Sequence, residues 1–251
     1  MKVAGTAPEG RGAEASAPLQ GRGAFMARIE LEIYTPGYKP NGREVHVIET
    51  SRGTVRAELF GCEAPVTVGN FIELAAKGFY DSLKFHAKKP GSVVLGGCPT
   101  TRTMGPAQVL AAAQGAIRGM HPGTGDARYT IIDEWEGNPR NRHVLGSLCM
   151  AHKSAPNSGS CQFYFSLDEQ PEFDDKYTVF GQATEGLEVI EQLAIGDAIK
   201  GIVIEGADEE ALAEAIAQDT PRPPTPQEAL AAIEAERAER AAAKAAVEAA
   251  E

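Results

Sequence analysis

The sequence predicts a mainly β domain, a barrel or sandwich of short strands with helices laid against it. Three observations carry this. Short runs rich in Val, Ile, Tyr, Phe and Thr recur between Gly, Pro, Asn and Asp, as strands do between turns. The first two runs flank one tight Gly turn. Helical spacing appears in two longer segments, one after this pair and one near the end of the strand series.

In order, "VHVIETSRGTVRAELF" alternates apolar and polar residues on both sides of Ser51-Arg52-Gly53, the pattern of a β-hairpin. "APVTVGNFIELAAKGFY" then brings Val68, Phe71, Ile72 and Ala75 to one side, with Gly78 where a helix would end. "LKFHAKK", "SVVLGG", "RYTIIDEW", "HVLGSLCMAH", "CQFYFSL" and "YTVFGQAT" read as strands. "GLEVIEQLAI" returns to helical spacing through Leu187, Ile190, Leu193 and Ala194, and "GIVIEG" is a last strand. Residues 101–119 interrupt the series with a helix-friendly centre at Gln108–Gln114, an excursion from the sheet.

The ends differ from this domain. Residues 1–25 lack the apolar core of a secretory signal and read as a disordered leader, Met26 opening the first apolar-periodic segment. After Gly206, "DEEALAEAIAQ" is a short acidic helix with Leu212 and Ile216 on one face. Residues 219–226 form a stiff Pro-rich linker, and Thr225-Pro226-Gln227-Glu228 combines a cap, Pro at the first helical position and Glu at the third. An Ala-rich helix to Glu251 follows, either a solvated helix or a dock for a protein partner. The domain proper is therefore residues 26–206, and 207–251 form an acidic helical tail.

Composition narrows the function. The chain of 251 residues carries a net charge of −11, and residues 207–251 hold eleven acids against four bases, so −4 remains upstream. No concentrated basic surface is available for nucleic acid. No apolar stretch approaches the roughly 18 residues that span a bilayer. Cys62, Cys98, Cys149 and Cys161 are widely spaced, so reduced thiols in a cytoplasm are expected. Cys149 and His152 have C-x-x-H spacing, but zinc sites come as two close pairs and there is one, so no metal is expected.

From Val45 to Glu205 the chain resembles the cyclophilin-type peptidyl-prolyl cis-trans isomerases. "TSRGTVRAELFGCEAPVTVGNFIELAAKGFYDSLKFH" is similar to that family's opening hairpin, helix and strand. "PGSVVLGGCPT" resembles its "PGF-x-x-QGGDPT" segment, and "YTIIDEW", "GSLCMAHKSAPNSGSCQFYFSL" and "KYTVFGQATEGLEVIEQL" follow in family order. The resemblance implies a closed eight-stranded antiparallel β-barrel capped by two helices, acting on proline-containing polypeptides. Rotation about an Xaa-Pro bond faces a barrier of about 18–20 kcal/mol and needs no covalent intermediate, hence no cofactor. It needs an apolar pocket for the proline ring, hydrogen bonds to the flanking peptide, and a positioned cation or donor.

The resemblance also assigns positions. Ala87 stands at the catalytic arginine, Ser92 at the pocket phenylalanine and Val93 at the next pocket residue. Leu95 replaces the glutamine before the glycine pair, and Cys98 the aspartate after it. Ala151, Gln162 and Tyr164 keep the second wall, with His152 for an asparagine, Tyr177 for the pocket histidine and Phe173 at the tryptophan region. Gln162 and Tyr164 are thus the expected catalytic pair. Lys89 shares a strand face with Ala87 and is either a substitute cation or half of a solvated lysine pair. His152 either donates to a bound peptide carbonyl or sits on the rim. Two functions follow: a weakened isomerase, or a non-catalytic module that binds proline peptides. A purely structural scaffold would rest on the appended helices alone.

Overall fold

The computed structural model describes residues 31–218, so the readings of residues 1–25, of the 219–226 linker and of the final helix lie outside the described residues. Eight strands form one antiparallel sheet: β1 (Val45–Thr50), β2 (Thr54–Leu59), β3 (Ala87–Lys89), β4 (Val93–Gly96), β5 (Ser147–Met150), β6 (Phe163–Ser166), β7 (Val179–Glu185) and β8 (Ile199–Glu205). Their order across the sheet is β3-β4-β6-β5-β7-β2-β1-β8. The sheet curls but its named strands do not close, for β3 and β8 lie at its two edges. Just before β3, the backbone bonds Ser82 N to Ile199 O, Ile199 N to Leu83 O, Phe85 N to Asp197 O and Gly196 N to Phe85 O run between the two edges at 2.8–2.9 Å.

Period-two patterning explains the hairpin. His46, Ile48 and Thr50 of β1 and Val55, Ala57 and Leu59 of β2 all face inward and are buried. At the turn Thr50 N donates to Gly53 O at 2.9 Å, with Gly53 at φ +145°, a backbone that suits glycine. Inside the curl, Phe71, Tyr80, Phe163, Phe165 and Phe180 are fully buried, and Phe71 meets Tyr80, Phe163 and Phe180 at centroid distances of 5.2–5.7 Å.

Four helices flank the sheet: α1 (Pro65–Ala76), α2 (Pro106–Ala113), α3 (Leu187–Gln192) and α4 (Glu209–Ala217). Helix α1 opens with Pro, but its N-cap is Ala64, which offers no side-chain acceptor. Glu134 supplies one from a distance. Its carboxylate accepts from Val66 N (3.0 Å), Thr67 N (2.7 Å) and Thr67 Oγ1 (2.8 Å), an anion placed at the positive end of the helix. This use of Glu134 corrects the reading of "RYTIIDEW" as a strand. That segment makes two isolated bridges, Thr130 to Ile33 and Ile131 to Gly159, and Arg128 at φ +68° breaks its extension.

The interruption at 101–119 does contain a helix, α2. Met104, Val109 and Ala112 form a small separate core there with Ile117 and Ile195. Helix α3 is shorter than its pattern suggested and stops before Leu193. Lys88 Nζ donates to Glu191 O and Leu193 O at 2.7 Å each, placing a cation at the helix's carbonyl end. In α4 the N-cap Asp208 accepts from Ala211 N at 3.0 Å, and Ala215 packs closely on Gly37, where an added Cβ would lie 3.3 Å from the Ala215 Cβ.

Candidate functional site

The pleat of β3-β4-β6-β5 separates two sets of side chains. Val94, Phe163, Phe165, Leu148 and Met150 enter the main core. Val93, Leu95, Tyr164 and Cys149 point to the other face, where Phe60, Val179, Ala151 and Tyr177 join them in a second cluster. One rung crosses this face through Ala87, Leu95, Tyr164 and Cys149, each the register partner of the next.

Beside this cluster opens a cleft of about 290 Å³. Its walls are His86 and Ala87 at β3, Leu95 on β4, the loop Pro122–Asp126, the residues Ala151–Lys153 after β5, and the approach to β6 through Ser158, Ser160 and Gln162. Gln162 braces the loop wall: its Nε2 donates to Gly123 O (2.9 Å) and Gly125 O (2.7 Å). Both amide protons are thereby engaged, and only its Oε1 remains as an acceptor. Beneath, Tyr129 Oη donates to Asn70 Oδ1, Asn70 Nδ2 to Ser160 O, and Ala127 N to Ser160 Oγ, at 2.7–2.9 Å, tying the loop to α1.

The aromatic side has a polar anchor. The hydroxyl of Tyr164 lies 2.9 Å from His143 Nε2, and His143 Nδ1 lies 2.9 Å from Asp174 Oδ1. Asp174 also accepts from His143 N and from Arg142 Nη1. Because the carboxylate can only accept, Nδ1 carries the proton there and Nε2 accepts from the tyrosine. Burial would raise the Asp174 carboxyl, but the His143 and Arg142 hydrogen bonds outweigh it and hold it below its ordinary range. Burial pulls His143 down against the opposing pull of Asp174. Three rings meet over this anchor nearly at right angles: Tyr164–Tyr177 at 6.0 Å, Tyr164–Phe173 at 6.5 Å and Phe173–Tyr177 at 5.4 Å. His152 lies on Tyr177 at 4.4 Å.

Of the residues singled out from sequence, Ala87, Leu95, Ala151, His152 and Gln162 line the cleft, and Val93, Tyr164, Phe173 and Tyr177 form the adjoining apolar wall. Ser92 is placed elsewhere. It is buried in the turn before β4, where its Oγ donates to Gln170 Oε1 at 2.8 Å. Lys89 is exposed at the sheet edge, opposite Val93 in register, and Lys88 faces away to α3. Cys98 is buried under the loop wall, its sulfur accepting from Gly123 N at 3.1 Å. Cys149 and His152 do not converge as metal ligands: burial pushes the Cys149 thiol far up, and both nitrogens of His152 face carbonyl oxygens.

Sequence reasoning missed His86, the Pro122–Asp126 loop, Lys153 and the His143–Asp174 pair. The glycine-rich run "GMHPGTG" is the sequence signal that could have found the loop. Gly123, at φ +96°, stands where a side chain would press on His86. Burial takes the His86 imidazole down to about 4, against hydrogen bonds with the Lys84 backbone and the Gln162 side chain. It is neutral near pH 7. Lys153 Nζ reaches Asp126 Oδ2 across the cleft at 3.6 Å.

The family profile "Cyclophilin type peptidyl-prolyl cis-trans isomerase/CLD" matches residues 45–217, which include every wall of the cleft. The chain is a member of that family. The peptidyl-prolyl cis-trans isomerase B of Bacillus subtilis is 40% identical over 152 residues, covering 61% of this cyclophilin and 91% of the relative. The isomerase of Synechococcus elongatus is 38% identical, covering 63% and 94%. A crystal structure of a Cryptosporidium parvum cyclophilin-type isomerase, obtained in the presence of the dipeptide Ala-Pro, superposes with a TM-score of 0.50 at 27% identity, covering 64% and 99%. The matched span also takes in the 101–119 excursion and α4.

Proposed function

We propose that this cyclophilin isomerises Xaa-Pro bonds in extended polypeptides with a weakened catalytic side. One observation carries this: on the rung Ala87–Leu95–Tyr164, the apolar wall is present but the β3 position beside it is an alanine. The proline ring has Val93, Tyr164, Phe173 and Tyr177 to lie against, and the flanking peptide has the cleft and its polar rim. The twisted transition state has no guanidinium at Ala87 to favour it. By analogy with deleting one oriented transition-state donor, this costs about 10²–10³ in rate. Lys89, on the Ala87 face of β3, is the substitute cation in this reading, though a flexible ammonium poorly replaces a forked guanidinium.

The test is an isomerase assay on a short Xaa-Pro peptide with wild type, Ala87→Arg and Lys89→Ala. A faster Ala87→Arg supports the weakened site. A slower Lys89→Ala assigns the cation, while an unchanged one leaves the lysine a solvated residue. No acceleration by wild type at high protein concentration would overturn the enzyme reading. The alternative, a non-catalytic proline-peptide module, draws on Ala87 together with the engagement of Gln162's donors by Gly123 and Gly125. Peptide titration separates it from a bare scaffold.

We further read the curled sheet as a closed barrel, supported by the four backbone bonds between Ser82–Phe85 and Gly196–Ile199. A cytoplasmic location is supported by four free cysteines. A protein partner for the C-terminal segment, residues 227–251, draws on its Ala-rich, charged composition alone.

A further inference from the structure

Four Xaa-Pro bonds stand close together just after the last described helix. Residues 219–226 read Asp-Thr-Pro-Arg-Pro-Pro-Thr-Pro, with prolines at Pro221, Pro223, Pro224 and Pro226. Helix α4 ends at Ala217 and Gln218 is the last described residue, so this segment leaves directly from the domain that carries the cleft. The site described above takes a proline ring and its flanking peptide. Its own chain therefore supplies a candidate for both.

A series of contacts links α4 to the loop wall of the cleft. Ala215 packs on Gly37. Three residues before Gly37, Tyr34 lies against Tyr129 at 4.5 Å, and Tyr129 follows the cleft residue Asp126 by three positions. Tyr129 Oη also donates to Asn70, whose Nδ2 holds the carbonyl of Ser160, another cleft residue. An extended chain covers about 3.3–3.6 Å per residue, so the eight residues from Gln218 to Pro226 span up to about 29 Å. That is close to the diameter of a small domain, about 30 Å. The segment has the length to reach the cleft.

Its charges fit as well. Asp126 and Lys153 face each other across the cleft at 3.6 Å, with the lysine side chain 63% exposed. Such an open pair contributes little, so its partners are exchangeable. Asp219 and Arg222 bring one charge of each sign beside the prolines, and a ligand of this kind replaces one ion pair by two. We infer that residues 219–226 are a built-in ligand: the chain's own Pro-rich segment occupies the cleft and aromatic wall of the same molecule and competes with peptides from other chains. The inference rests on the peptide-binding reading of the site and adds its regulation. A short tether sets an effective concentration of about 1 mM, so a segment of millimolar affinity fills the site about half the time and halves the apparent affinity for a free peptide. Tighter binding by the segment deepens the competition.

The test sets the full chain beside a full-chain variant combining Pro221→Ala, Pro223→Ala, Pro224→Ala and Pro226→Ala. Each is titrated with a short Ala-Pro-containing peptide, and the variant also with a synthetic peptide of residues 217–228, while NMR follows the Gln162 side-chain amide and Ala151 in the cleft. The variant is expected to bind the Ala-Pro peptide at least about twofold more tightly than wild type, and the synthetic peptide to shift the Gln162 and Ala151 signals. Equal affinity in the two proteins overturns the inference. So does a synthetic peptide that leaves the cleft signals unmoved when the Ala-Pro peptide binds there. Competition in wild type that grows with protein concentration assigns the segment to a second copy and overturns occupancy within one molecule. If neither peptide binds either protein at millimolar concentration, the peptide-binding reading itself fails and the built-in ligand falls with it.

Discussion

Acid should loosen this cyclophilin well before its carboxylates titrate, because burial holds His46 and His86 strongly in neutral form and pulls His143 down as well. His46 on β1 lies between Phe71 and Phe165 at 5.6 and 6.2 Å, fully buried, with neither ring nitrogen hydrogen-bonded among the described residues. Burial lowers it to about 3, and His86 to about 4. An unfolded chain protonates both near 6.5. Folded-state values below the unfolded one mean that stability is complete above about pH 6.5 and is lost as pH falls through that value, the unfolded state binding the extra protons. At about pH 5.5 each histidine costs about 1.4 kcal/mol, so the pair costs about 3 kcal/mol relative to pH 7.5. The assay is urea unfolding at both pH values for wild type and His46→Phe, whose ring suits the aromatic surroundings. His46→Phe should lose about 1.4 kcal/mol less stability than wild type on acidification. An equal loss in the two proteins would refute the assignment of His46 as a buried neutral base.

Other perturbations report on other links. Glu134→Ala removes the carboxylate that accepts at the start of α1 and should cost about 1–2 kcal/mol in chemical denaturation, with Glu134→Gln losing less. Tyr164→Phe keeps the pocket ring but leaves His143 Nε2 buried without its partner; a loss of about 1–3 kcal/mol with peptide affinity retained is expected, read by unfolding and titration. Gly196→Ala forces a side chain at φ +97° to within 2.8 Å of Pro106 O, and should lower the melting temperature by detaching α2.

Much of the fold was legible because its strands are short and its sides unequal. The alternation His46-Ile48-Thr50 against Val55-Ala57-Leu59, and the Val68-Phe71-Ile72-Ala75 stripe, can each be buried in one way only. "RYTIIDEW" misled for a physical reason. Its β-branched run suits a strand, but its ends are drawn to distant partners, Tyr129 to Asn70 and Glu134 to the start of α1. The site was legible in part. The frame of motifs around Ala87, Leu95, Ala151 and Gln162 locates the cleft, whereas Ser92 is buried in the turn before β4 against Gln170. Tyr164 read as an ordinary exchange of ring for ring, yet its hydroxyl is fixed by His143 and Asp174, residues 21 and 10 positions away in the chain.

By itself, then, the sequence determined the class of fold, the order of its elements, the family and the alanine where a guanidinium is expected. These are properties of local periodicity and residue identity, which survive without contacts. Tertiary structure alone decided what those residues are bonded to: Gln162 to the loop it braces, Lys88 to the end of α3, and His152 to the Lys176 carbonyl on the aromatic turn. Hydrogen-bond partners are chosen by proximity in space, and the chain spacing between His152 and Lys176 holds no trace of it.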